Sequence, residues 1–85
     1  MKLSNATIRT MILQLLETRG EGKTICPSEV ARALAGEARS DWEPLMEPVR
    51  DVAARMAQEG MLAITQHGHA IDPTTAQGPI RLRLR

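Results

Sequence analysis

Aromatic residues are almost absent from this chain. Among 85 residues there is no Tyr and no Phe, and Trp42 is the single Trp. Proteins that bind single-stranded nucleic acid stack bases on several aromatic side chains, so this composition disfavours that class. Trp42 itself falls on an apolar helical stripe, and this position predicts a role in core packing.

Cysteine and long apolar runs are also scarce. Cys26 is the single Cys, so the chain cannot form an internal disulfide, and this favours a reducing compartment. No run approaches the ~18 apolar residues of a membrane span. Arg9 interrupts the N-terminal region before the apolar core of a signal peptide could form. We therefore expect a cytoplasmic protein with no membrane partner.

The motifs of enzymes and cofactor-binding proteins are missing too. There is no Gly-rich phosphate loop and no dinucleotide fingerprint, so we expect neither a cofactor nor an enzymatic activity. Cys26 stands near a predicted helix start, where a thiol can become reactive, but its position favours a small buried residue at the end of a strand. His67 and His69 flank Gly68, yet the remaining ligands of a metal site are lacking, so no metal is expected.

Charge is nearly balanced overall but unevenly distributed. Eleven Lys and Arg against ten Asp and Glu give +1. Five basic and three acidic residues in 1–35 give +2, three and six in 36–60 give −3, and three and one in 61–85 give +2. An acidic middle segment therefore separates two basic flanks.

Length and periodicity predict a single domain over 1–85 that begins with helices. A first helix follows a cap at Ser4 or Asn5 and ends at Gly20, and a second runs over 28–35 with Ser28 as its cap. A polar connection over 37–41 follows. Pro48 would disrupt a continuous helix, so we expect a short turn at 42–46 and a third helix from Pro48 to Gly60.

The pattern then changes to the alternation of β-strands. A hairpin is predicted around His67-Gly68 with Ile64 opposite Ile71, a loop over 72–78, and a last strand with one apolar and one arginine face. Residues 23–26 form another short β-prone stretch. Three helices and a small antiparallel sheet predict an α+β, mainly α fold, namely a winged helix-turn-helix domain.

Two runs of sequence carry a resemblance to a known family. These are Cys-Pro-Ser-Glu-Val-Ala-Arg at 26–32 and Gly-Pro-Ile-Arg at 78–81, with Trp42, Leu45-Met46 and Val49-Arg50 between them. Together they resemble a bacterial family of small winged-helix proteins that is known only as a domain of unknown function. The resemblance covers about 8–83 and implies the fold, but it carries over no catalytic residue, cofactor or substrate.

The fold analogy favours a binding module that contacts duplex DNA through the third helix and the wing, which is the hairpin tip at 66–70. Arg50 is placed to read a guanine and Arg81 to contact a phosphate, whereas Glu47 and Asp51 would repel the DNA backbone. The full set of expected nucleic-acid contacts is Arg39, Arg50, Arg55, Gln66, His67, His69, Arg81 and Arg83.

The alternative is a protein-interaction adaptor that uses the acidic face of the third helix. For either function we expect a monomer or a homodimer. The two functions require different charge on the same surface. Binding of DNA requires a continuous positive surface that joins Arg39, Arg50, Arg55 and the wing, whereas an adaptor would present an acidic or apolar patch there.

Overall fold

The computed structural model describes residues 3–72 and 78–85 of the chain. Its elements are α1 (Asn5–Arg19), α2 (Pro27–Ala35), α3 (Arg39–Trp42), a 3-10 turn (Glu43–Leu45), α4 (Met46–Gln58), β1 (Leu62–Gln66), β2 (His69–Ala70) and β3 (Arg81–Leu84). The predicted third helix corresponds to α4. Of the predicted loop over 72–78, positions 73–77 lie outside the described residues.

Helix α1 begins and ends as its sequence predicts. The Ser4 side chain accepts a hydrogen bond from the Thr7 N–H at 3.1 Å. One stripe of α1 is buried, formed by Ile8, Ile12 and Leu16. Gly20 ends the helix with φ of +108°, a conformation that side chains rarely adopt, while its N–H donates to the Leu16 carbonyl.

Helix α2 begins one residue earlier than predicted, and the assignment of Ser28 as its cap is wrong. Cys26 occupies the cap position and Pro27 is the first helical residue. Proline suits that position because its fixed φ fits the helix and its missing N–H would have had no partner. The Glu29 carboxylate returns to the cap and accepts a hydrogen bond from the Cys26 N–H at 2.7 Å.

The acidic middle segment is more helical than its sequence predicts. The polar connection expected over 37–41 is wrong, because α3 already begins at Arg39 and the Trp42 N–H donates to the Ala38 carbonyl at 3.2 Å. An ion pair between Arg39 and Glu43, one turn apart, supports this early start.

Helix α4 starts at Met46, two residues before the predicted start. Pro48 is its third residue, where a helix has no internal partner for the N–H, so the proline removes no hydrogen bond. The expected break is therefore present as the 3-10 turn before α4.

The sheet has the strand order β2-β1-β3, and all its pairs are antiparallel. The hairpin turn is at His67 and Gly68, with φ of +53° and +80°, and the Ile71 N–H donates to the Ile64 carbonyl at 3.1 Å, as the predicted register requires. Of the β-prone stretch over 23–26, Ile25 alone pairs, forming an isolated bridge with Leu82.

One core joins the three long helices to one face of the sheet. Its fully buried members with the largest side chains are Ile8, Ile12, Leu16, Ile25, Val30, Val49, Met56, Leu62, Ile80 and Leu82. Trp42 is partly buried and packs against this cluster, as predicted. The architecture is therefore α+β and mainly α, consistent with a winged helix-turn-helix domain.

Over 3–72 and 78–85, every helix is too short or too polar to cross a lipid bilayer.

Leu82→Ala tests the importance of the sheet for the core. Leu82 is 0% exposed, so its truncation leaves a cavity, and we expect the free energy of unfolding to fall by about 2 to 5 kcal/mol. Urea unfolding followed by circular dichroism measures the change. Leu84→Ala, on the same strand but partly exposed, is the control and should lose less. Equal losses for the two variants would contradict the assignment of Leu82 to the core.

Candidate nucleic-acid interface

Helix α4 and the wing, which is residues 66–70 at the hairpin tip, are both hydrogen-bonded to the segment 78–79. Arg50 on α4 donates from Nη1 to the Gly78 carbonyl at 3.2 Å. Gln66 donates from Nε2 to the Pro79 carbonyl at 3.1 Å. Both side chains, expected to contact nucleic acid, therefore also hold the wing in position.

Arg39 lies on α3 in an exposed ion pair. Its Nε donates to the Glu43 carboxylate, and this hydrogen bond raises the pKa of the Arg39 guanidinium. The Arg39 side chain is 80% exposed, so the pair contributes little stability. It nevertheless neutralises a positive charge that was expected to face DNA.

Three of the expected contact residues are exposed on α4 and at the wing tip. Arg55 is exposed on α4, and His67 and His69 are exposed at the two ends of the hairpin turn. Arg83 is exposed as well, but it lies on β3.

The arginine face of β3 is divided between two environments. Arg81 is half-buried: its Nε donates to Thr24 Oγ1 at 2.9 Å, its Nη2 donates to the Thr24 carbonyl at 3.2 Å, and its Nη1 contacts Cys26 Sγ. Arg83 and Arg85 are exposed. The role of Thr24 was missed, although strand alternation around Ile25 places Thr24 and Cys26 on one face.

Charged side chains connect the cap of α2 to the cluster formed by Thr24, Cys26 and Arg81. Arg19 forms an ion pair with Glu29 and donates to the Thr24 carbonyl at 3.1 Å. Partial burial raises the pKa of Glu29, but the Cys26 N–H and the Arg19 guanidinium lower it, with a further lowering contribution from Arg81. The net direction is downward, so the folded state favours the ionised carboxylate.

Acidic side chains dominate the exposed side of the segment from α3 to α4. Glu47 and Asp51 are exposed one turn apart on α4, and Glu43 is exposed one turn before them. The acidic face is defined here by Glu43, Glu47 and Asp51, which follow one another at one-turn spacing on the 3-10 turn and α4. The positive surface required for DNA is interrupted, because Arg39 is paired with Glu43 and because Glu47 and Asp51 are exposed on α4.

The three long helices α1, α2 and α4, followed by a small antiparallel sheet with a wing, give an α+β domain consistent with the winged-helix type. Within that class, residues 5–85 match the family described as "Protein of unknown function (DUF3253)", and the chain belongs to this family. The match confirms the expectation of a domain of unknown function. No curated protein matches the chain.

Glu29→Gln tests the charged cap of α2. At neutral pH we expect the free energy of unfolding to fall by about 1 to 2 kcal/mol, because the variant loses a charge-assisted cap and an ion pair. Since the folded pKa of Glu29 lies below its ordinary value, this contribution is present above the unfolded pKa and is lost as pH falls through the folded pKa.

Thermal or urea unfolding over a pH series measures this effect. The unfolding free energies of wild type and Glu29→Gln should converge at acid pH. Glu17→Gln, an exposed change on α1, serves as the control and should stay parallel to wild type. A constant gap between wild type and Glu29→Gln at every pH would contradict the role of the ionised carboxylate.

Proposed function

We propose that this domain is a protein-binding adaptor whose acidic face binds a basic segment of a partner protein. The observation that carries the proposal is the pair of exposed acids Glu47 and Asp51, one turn apart on α4, whereas Glu43, one turn before them, is ion-paired with Arg39. In a DNA-binding winged helix this side of the helix would enter the major groove between two phosphate backbones.

The negative charge of the acidic face favours a basic protein segment over the phosphates of DNA. Phosphates at this position would meet Glu47 and Asp51, and like charges brought together at an interface cost several kcal/mol. Lys and Arg side chains would meet the same carboxylates favourably, and the attraction would also accelerate association. The partner class is therefore a segment rich in Lys or Arg, and its affinity should fall with ionic strength.

A comparison of two probes tests the adaptor. Amide-resolved NMR would follow titrations with a short mixed-sequence DNA duplex and with a blocked twelve-residue peptide of Lys, Leu and Ala, at low and near-physiological salt. We expect the basic peptide to shift amides in 37–51. Glu47→Gln/Asp51→Asn should weaken its binding at least five-fold, since two attractive charges are lost.

The control variant is Glu17→Gln/Glu21→Gln, which removes two exposed acids from α1 and the following turn. It makes the same change in net charge and should leave the affinity within two-fold of wild type. Equal weakening by both double variants would show attraction to net charge alone and would overturn the proposal.

Duplex DNA is the second candidate partner, and a separate observation favours it. The hydrogen bonds from Arg50 to Gly78 and from Gln66 to Pro79 hold the wing beside α4. This is the spatial relation that a winged helix needs to contact a groove and the adjacent backbone together. Arg55, His67 and His69 are exposed on these two elements.

Under this second candidate, single charge changes should alter duplex affinity in opposite directions. Asp51→Asn should tighten binding several-fold by removing repulsion, and Arg55→Gln should weaken it and reduce the salt slope by about one. Fluorescence anisotropy over a salt series measures both changes. If neither variant alters duplex affinity, α4 does not contact DNA.

A further inference from the structure

A groove of about 570 Å³ lies beside β1, on a different side of α4 from the acidic face. Its lining is mostly apolar, with two cationic side chains, and consists of Ala57, Leu62, Ala63, Ile64, Ala70, Ile71, Arg83 and Arg85. Its volume is within the range of ordinary ligand sites. The groove is open to solvent, and strand β1 forms one of its walls.

The wall of the groove is a sheet edge. Strand β2 pairs with Thr65 and Gln66 alone, and the last hydrogen bond on that side is from the Ile71 N–H to the Ile64 carbonyl. Within the described residues, Leu62 and Ala63 therefore have a strand neighbour on one side only, which is β3. A sheet edge of this kind can accept an added strand through backbone hydrogen bonds.

The positive charges of Arg83 and Arg85 beside this edge determine which kind of strand can bind there. Arg83 is the cross-strand partner of Ala63, whose small side chain leaves the arginine next to the groove, and Arg85 lies on the same face of β3. Both arginines are exposed, and neither has an acidic partner among the described residues. Apolar side chains fit the lining, and acidic side chains fit the two guanidiniums.

We propose that this groove docks an extended peptide segment of alternating apolar and acidic residues, which adds to the edge of β1 that is unpaired among the described residues. The peptide backbone pairs at Leu62, its apolar side chains pack on Ala57 and Ile71, and its carboxylates contact Arg83 and Arg85. The inference does not rest on the adaptor function of the acidic face, because it uses other residues and requires a partner of opposite charge.

The test uses a blocked six-residue peptide of alternating Glu and Val, titrated into the full chain and followed by amide-resolved NMR. We expect shifts concentrated at 57, 62–64, 70–71 and 83–85. Arg83→Gln/Arg85→Gln should weaken binding at least five-fold because both charge partners are lost. Lys23→Gln, which removes an exposed charge from the turn after α1, outside the groove, should bind as wild type does.

Two further probes separate this mode from general attraction to charge. A peptide of the same sequence with N-methylated valines cannot donate backbone hydrogen bonds from those residues, and we expect it to bind at least five-fold more weakly. A peptide of alternating Lys and Val should leave the amides at 57 and 62–64 unshifted. Full binding by either probe at this groove would overturn the proposal.

A last comparison distinguishes binding at the groove from binding at the acidic face. Glu47→Gln/Asp51→Asn should leave binding of the Glu-Val peptide unchanged, so failure of the adaptor function would not affect this result. Displacement of the Glu-Val peptide by a short DNA duplex from the same amides would assign Arg83 and Arg85 to phosphate binding instead and would overturn the peptide proposal.

Discussion

The backbone exchange between Ile25 and Leu82 is the contact on which most of this small domain depends. The Ile25 N–H donates to the Leu82 carbonyl at 2.9 Å, and the Leu82 N–H donates to the Ile25 carbonyl at 2.8 Å. Both side chains are fully buried. The pair joins the connection between α1 and α2 to the last strand, and so closes the core between elements from opposite ends of the described chain.

Strand alternation extends the effect of this contact to polar side chains. Because Ile25 and Leu82 face the core, their neighbours Thr24, Cys26 and Arg81 lie on the opposite face. Arg83 shares that face, but Arg81 makes three contacts with Thr24 and Cys26 and is half-buried, whereas Arg83 is exposed. A side chain with such contacts must give them up before it can contact a phosphate, and this makes Arg81 a structural residue first.

The sequence predicted well what local patterns determine. The cap and stripe of α1, the His67-Gly68 turn and the register of Ile64 with Ile71 depend on neighbours a few residues apart, and all are confirmed. The errors arose where local signals competed. Ser28 is a good cap by composition, but Pro27 fits the first helical position and transfers the cap to Cys26.

The candidate site was less predictable for a physical reason. The sequence places Arg50 and Gln66 on the correct elements, but their partners are carbonyl groups of Gly78 and Pro79, which are distant along the chain and come close only in the folded domain. The acids at Glu43, Glu47 and Asp51 follow helical spacing, so the row itself can be found from sequence, although their exposure cannot.

The geometry of α4 bears on whether both proposed surfaces can act together. Ala57 follows Asp51 by six residues, and at about 100° per residue the two positions are separated by about 120° around the helix axis. A partner on the acidic face would therefore leave the groove accessible, and the reverse also holds. The two surfaces carry opposite charges, so a basic and an acidic segment would not compete for one site. Joined in one partner, they would bind with an avidity above either alone. In two partners, this domain would bring them together without any change in its own fold.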